Sequence, residues 1–250
     1  MASDQMHFRR RIQELSDTSY QQARYVFTDF LTEAEYADVL AGGNYACGME
    51  ASGGHENAER RMVRFGSEEL CGYEAAFPIT IIRIAPLIEK FSDTFTHRDY
   101  LGAVLNLGID RKVTGDILTD GTYGFLFCED KITDFILENL TKVKHTHVKC
   151  SVAETVPDNL KSEIVPKEIQ VDSLRLDAMI SHAFGISRTE TTECFRLQHV
   201  FVNGRLMENK THQPENGDLI SVRGYGRFRY EGVTRMTRKG KHNVLLSCYR

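Results

Sequence analysis

The chain has 250 residues, of which 26% are charged, and a formal net charge of −4. That composition fits an ordinary globular protein of one to three domains, long enough to bury substantial cores, and argues against a disordered or fibrous chain. No apolar run approaches the roughly 20 residues that a bilayer-spanning helix needs, and the N-terminal MASDQMHFRRRIQELSD is too charged for a signal peptide, so a cytoplasmic protein without a membrane partner is expected.

The modest net charge hides an asymmetry along the chain. Residues 1–79 carry 7 Lys and Arg against 13 Asp and Glu, residues 80–170 carry 11 against 14, and residues 171–250 carry 13 against 8. A change of sign between segments points to modules with different tasks, and the basic one is C-terminal. The six cysteines, Cys47, Cys71, Cys128, Cys150, Cys194 and Cys248, form no C-x-x-C pair and have no histidine at ligand spacing. They are expected to be reduced, mostly buried thiols, with no metal site.

In chain order, the first forty residues carry apolar positions at helical spacing (Phe8, Ile12, Leu15, then Tyr25, Val26, Phe30) and a capping-box pair, Thr32 with Glu35, so helices are predicted up to AGG at 41–43. Two strands are predicted around 45–50 and 60–65, joined by ASGGHENAE. Its glycines lack the Gly-x-Gly-x-x-Gly or P-loop pattern, so a turn is expected there and no cofactor.

From residue 79 the pattern reads strand (ITIIRIA), helix (HRDYLGAVLNLG), two strands (GDILTD, YGFLFCE), helix (KITDFILENL) and strand (HVKCSVA). This is the ferredoxin-like βαββαβ plan that RNA-recognition domains also use. Phe125 and Phe127 share one face of a predicted central strand; core packing is the expected role and base stacking the alternative. ETVPDNLKSEIVPKEI, with two prolines and mixed charge, reads as a linker.

Beyond 171, VDSLRLDAMISHAFG and SRTETTECFRLQ read as two short helices, the second opened by a Ser187–Glu190 capping box. HVFVNGRLM reads as a hairpin over Asn203-Gly204, DLISVRG as a strand, and the last 25 residues as a further basic hairpin. The fold class expected is α+β: an N-terminal region (1–75), a central RRM-like domain (76–156), a linker (157–170) and a small α+β C-terminal domain (171–250).

The ordered set RLD, SR, V-x-VNG and GD-x-I-x-V within residues 172–230 resembles the S-four-type RNA-binding domain. With HRDYLGAVLNLGIDRKVTGDI before it, the whole chain resembles the YlmH family of bacterial ribosome-associated proteins. The resemblance implies RNA contact by Arg175, Ser187, Arg188, Arg196, His199, Asn203, Gly204 and Arg205. Charge and ribbon position add Arg223, Arg227 and Arg229. It also implies ribosomal RNA, the large ribosomal subunit and tRNA as partners, in translation or rescue of stalled subunits. Members lie near cell-division genes, which points to a division-linked protein partner as well. Two departures stand out: Thr191 and Thr192 occupy positions where many such domains carry Lys or Arg, and Gln198 stands where many have Gly and is expected in a left-handed conformation.

Two alternatives come from other classes. GIDRKVTGDILTD distantly resembles the catalytic loop of pseudouridine synthases, with Asp110 as nucleophile; against it, the module here is C-terminal, the usual Arg-Leu-Asp order is missing before Asp110, and the preceding region is too small for that fold. The bland role of Asp110 is a turn residue after a helix. The acidic N-terminal region alternatively suggests a protein-interaction scaffold.

Overall fold

The computed structural model describes residues 2–91, 93–238 and 240–249. The chain is a mixture of helices and strands in two compact units that divide between Lys161 and Ser162. Among the described residues, no helix is long and apolar enough to cross a membrane.

The first unit opens with helix α1 (Ala2–Gln22), which buries Ile12, Ser16 and Ser19. The helical pattern expected to continue does not. After Ala23, with φ +47°, the chain extends into β1 (Val26–Phe27), which pairs antiparallel with β3 (Met62–Phe65). A run of Tyr, Val and Phe satisfies helical spacing by chance over so short a window, and its β-branched and aromatic content suits a strand. Helix α2 (Glu33–Ala41) begins at the expected capping box: Thr32 N–H donates to Glu35 Oε2 at 2.8 Å, and Glu35 N–H to Thr32 Oγ1 at 3.3 Å. Strand β2 (Met49–Ser52) completes a sheet of order β1-β3-β2, and the short helix α3 (Glu68–Cys71) follows. Ile12, Leu31, Val39, Cys47, Val63 and Phe65 form the core.

Next come β4 (Ile79–Pro86), α4 (His97–Leu105), β5 (Thr114–Thr119), β6 (Gly124–Glu129), α5 (Thr133–Asn139), β7 (Lys142–Val143) and β8 (Thr146–Ala153). Their sheet has the order β5-β6-β4-β8-β7 with every neighbouring pair antiparallel. Period-two alternation sends Ile82, Ile84, Leu126 and Cys128 to the face covered by α4 and α5, where they meet Tyr100, Val104, Ile136 and Leu140. Burial pushes the Cys128 and Cys150 thiols up to about 12, which makes them inert packing groups. Phe125 and Phe127 face the other side, where Val156 and the partly buried Leu160 cover them.

The region expected as a separate N-terminal domain is interlocked with this sheet. Asp116, on β5, accepts from His55 Nε2 at 3.1 Å, Glu59 N–H at 2.7 Å and Arg60 N–H at 3.2 Å. Arg60 crosses the same junction to the carbonyls of Phe30 (2.8 Å), Thr114 (3.0 Å) and Arg111 (3.2 Å). The loop lies so close that a Cβ on Gly54, at φ +85°, would sit 2.7 Å from the Phe127 ring, and the His55 ring lies 4.6 Å from that ring. The expected boundary near residue 75 therefore separates two segments of one unit.

The second unit contains β9 (Ile164–Val171), α6 (Leu176–Phe184), α7 (Arg188–Arg196), β10 (Val200–Val202), β11 (Arg205–Leu206), β12 (Leu219–Val222), β13 (Gly226–Met236) and β14 (His242–Tyr249). The sheet order is β11-β10-β12-β13-β14-β9. Strand β9 corrects the linker expected over 157–170: it pairs with β14 at eight positions, from Ile164↔Tyr249 to Val171↔His242. Its Ile169 and Val171 enter the core, and Pro166 is tolerated because β9 is an edge strand with ladder bonds on one side only. Both helices pack on one face of this sheet.

Burial opposes ionisation of Asp116, but the hydrogen bonds from His55 and from the Glu59 and Arg60 amides outweigh it and hold the carboxyl below its ordinary 3.8. A depressed folded-state value adds stability above the ordinary value and loses it as pH falls through the depressed one. Asp116→Ala is expected to cost about 3 kcal/mol in urea unfolding at neutral pH, and to open the 53–60 loop to proteolysis. The gap between variant and wild type should close on acidification below 3.8.

Candidate nucleic-acid interface

Helix α6 buries Leu176, Met179, Ile180 and Ala183, a single face at i, i+3, i+4 and i+7, and stops at Gly185 with φ +67°. Two residues on, Ser187 opens α7: its Oγ accepts from Glu190 N–H at 3.1 Å while its own N–H donates to Glu190 Oε2 at 2.8 Å. This tight connection places the starts of both helices beside one cleft of about 270 Å³, lined by Arg175, Asp177, Arg188, Thr192 and Lys210 among others. Lys210 comes from a distant loop, which is docked by Leu176 N–H to the His212 carbonyl (2.8 Å) and Asp177 N–H to the Lys210 carbonyl (3.1 Å).

Three cations and one carboxylate line this cleft. The carboxylate has a structural job: Asp177 takes the Arg175 fork at 3.0 and 2.6 Å and also accepts from Ala178 N–H at 2.9 Å. The guanidinium is thereby held at the cleft before any ligand arrives. On the same helical side, the Asp172 carboxyl is held down first by its contact with Lys241 at 3.0 Å and then by Arg188 and His182. A phosphate entering here meets a positive field and side-chain N–H donors, the requirement for binding a nucleic-acid backbone.

Thr191 and Thr192, which stand where cations were expected, turn their hydroxyls back to the Ser187 and Arg188 carbonyls, both at 2.9 Å. Gln198 takes the left-handed conformation expected of it, with φ +57°, and its amide reaches Glu208 at 2.9 Å. Arg196 points away from the cleft and pairs with Glu193 on the exposed flank of α7. The carbonyl of half-buried His199 accepts from Arg223 N–H at 2.9 Å.

Asn203 and Gly204 both have positive φ, +48° and +71°, as a two-residue hairpin requires. The Asn203 side chain is committed to the fold, donating to Asp218 Oδ1 at 2.7 Å and accepting from Leu219 N–H at 2.9 Å. Arg205 follows on the exposed β11.

Arg223, Arg227 and Arg229 lie on the helix-free face of the sheet, away from the cleft. Cross-strand register sets Phe201, Ser221, Arg227 and Tyr249 in one row across four strands. The Arg223 guanidinium lies 4.8 Å from the centre of the Phe201 ring and that of Arg227 lies 4.5 Å from Tyr249, while Arg229 donates to the Gly217 carbonyl at 2.8 Å. The eleven residues expected to contact RNA therefore divide. Arg175 and Arg188 meet in the cleft with Ser187 capping beside them, three arginines occupy the opposite sheet face, and the others lie between or serve the scaffold. Sequence reading missed Lys210, which only loop docking brings in, and Phe201 and Tyr249, which the alternation of their strands does signal.

Asp110 is exposed on a loop after α4, where its carboxylate accepts from Lys112 N–H at 2.9 Å and caps a 3₁₀ turn over Arg111–Val113. Among the described residues no cluster of His, Cys, Asp and Glu is arranged to hold a metal ion.

Asn203→Ala loses both side-chain bonds and places a Cβ-branched-free but φ-restricted residue in a left-handed turn. A stability loss of about 2 kcal/mol in urea unfolding is expected, with Asn203→Gly losing less because glycine accepts the turn.

Residues 73–156 match the family model described as "Putative RNA-binding domain in YlmH". Over 256 aligned residues the chain is 27% identical to the ribosome-associated protein quality control protein P2 of Bacillus subtilis (strain 168), covering 98% of each. Among solved structures, the cell division protein ylmH from Streptococcus pneumoniae superposes with a TM-score of 0.49 at 21% identity, over 60% of this chain and 91% of the other. That superposition is too loose to carry an argument. Residues 73–156 are thus similar to the RNA-binding domain of YlmH, and the chain as a whole is similar from end to end to the Bacillus subtilis protein.

Proposed function

We propose that this chain is a non-catalytic, cytoplasmic RNA-binding protein that docks on the large ribosomal subunit, contacting ribosomal RNA and peptidyl-tRNA, in translation or ribosome-associated quality control. The observation that carries this reading is the cleft where Arg175, Arg188 and Lys210 converge at the starts of two short helices. The name of the Bacillus subtilis relative supports the ribosomal setting.

The fold supports the same reading. The order β5-β6-β4-β8 with two helices on one face follows the ferredoxin-like, RRM-like plan, and the paired helices on a small sheet fit an S-four-type domain. The second unit presents a basic cleft on its helical side and an arginine–aromatic row on the opposite face, so it has surfaces for two RNA strands. Its task is then to hold RNA partners in register, with no bond made or broken. The capping role of Asp110 supports this over a nucleophile.

Sucrose-gradient sedimentation of tagged protein in lysate tests the reading. Wild type is expected to travel with the large subunit and Arg175→Ala/Arg188→Ala to stay near the top. Arg188→Ala alone should weaken binding and reduce its salt dependence by about one counterion. A double variant that folds and still co-migrates with the subunit at physiological salt would overturn the proposal.

A further inference from the structure

The stretch KVKHTHVK, residues 142–149, holds three lysines and two histidines and no acidic residue. It forms the β7–β8 hairpin at one edge of the first unit's central sheet, turning at Lys144 with φ +50°. Val143 and Val148 are buried against the helix-side core, so alternation places His147 and Lys149 on the helix-free face, while Lys142, on the outermost strand, also borders the helix side; all three are exposed.

The middle of that same face is shut. Phe125 and Phe127, the strand positions where an RNA-recognition sheet would stack bases, are 3% and 0% exposed beneath Val156, Leu160 and the loop containing Gly54 and His55. Its open part, at the β8 and β7 edge, offers ammonium and imidazole groups and no Phe, Tyr or Trp.

Behind the hairpin, on the helix side, lies a cleft of about 480 Å³ between a flank of α4 and the chain leaving α5, lined by Arg98, Asn106, Asn139, Lys142 and Lys144 among others. Its one carboxylate, Asp99, is already saturated by Lys144 Nζ at 2.8 Å and by the Thr96 N–H and hydroxyl, both at 2.7 Å. The contact with Lys144 and the Thr96 bonds hold the Asp99 carboxyl down at about 2, so it stays an anion committed to the fold. Among the described residues, Arg98, Lys142 and Lys149 form no ion pair with an acidic side chain. Cations thus line both sides of a ribbon two strands wide, with strands about 5 Å apart.

We propose that this hairpin edge, with Arg98 and Lys142 at its cleft, is the central domain's RNA contact, and that it grips the phosphates of duplex RNA and does not stack bases. The inference rests on the RNA-binding reading above and adds to it a second site, in residues that no part of the C-terminal unit supplies. Neither strand of the hairpin carries a Phe, Tyr or Trp; cations so placed favour phosphate over base, and phosphates are presented at fixed spacing by a duplex.

The test uses the full chain in fluorescence anisotropy with two probes, a 20-base-pair RNA duplex and a single-stranded 20-mer of uridine, over a series of salt concentrations. Arg98→Ala/Lys142→Ala/Lys149→Ala is expected to bind the duplex at least tenfold more weakly and to lose about one counterion of salt dependence per cation removed, with little change for the single strand. Lys142→Arg/Lys149→Arg should keep duplex affinity, which separates charge from folding. Unchanged duplex binding and salt slope in the triple variant would overturn the inference while leaving the C-terminal cleft in place. A loss confined to the single strand would overturn it too, by showing a stacking surface. Failure of wild type to bind duplex RNA at low salt would overturn both readings.

Discussion

The Asp116 carboxylate takes three hydrogen bonds from the loop of residues 55–60, two of them from backbone amides. Burying a carboxylate costs several kcal/mol unless such donors compensate it. Once compensated it fixes the loop, because moving the loop would strand the charge. Arg60 and Arg111 raise the stakes at this junction. Their guanidinium groups share the Thr114 carbonyl, and burial first and Arg60 second bring Arg111 down to about 10. The seam is therefore electrostatic and exacting, and a slip of the loop would part half-buried Arg60 from its carbonyls and leave the Asp116 carboxylate without its donors.

What that seam holds in place decides where the central sheet can meet a ligand. The loop and the segment through Val156 and Leu160 cover the aromatic strand, so the face that the fold plan would offer to bases becomes a second small core. The uncovered chemistry lies at the sheet edge and is cationic. A shared topology thus leaves the mode of recognition open, and the covering segments settle it.

In the second unit the polar residues of the RLD, SR and VNG stretches are used first to build the scaffold. Ser187 caps α7, Asn203 ties its turn to β12, and Asp177 holds the Arg175 fork. Half-exposed pairs of the Arg175–Asp177 kind contribute only about 1 kcal/mol, so the benefit is orientation more than stability. A ligand phosphate then meets a guanidinium already aimed, and less side-chain freedom is lost on binding.

Local chemistry made much of this legible in the sequence. Capping boxes at Thr32 and Ser187, the positive φ angles of Asn203-Gly204 and Gln198, and the alternation in β4, β6 and β8 depend on neighbours within a few residues, and the chain reveals them directly. The charge asymmetry likewise singled out the C-terminal unit. Other features depend on partners far along the chain, and only the tertiary structure decided them. Val26–Phe27 became a strand because Phe65 was there to pair with it, and Ile164–Val171 became a sheet edge because β14 offered a free ladder. Lys210 entered the cleft because its loop docks on the start of α6, and Phe127 was closed off because Gly54 admits a loop against its ring. Sequence determines bonds within a turn of the backbone; which distant surface covers or completes a site is fixed only when the chain has packed.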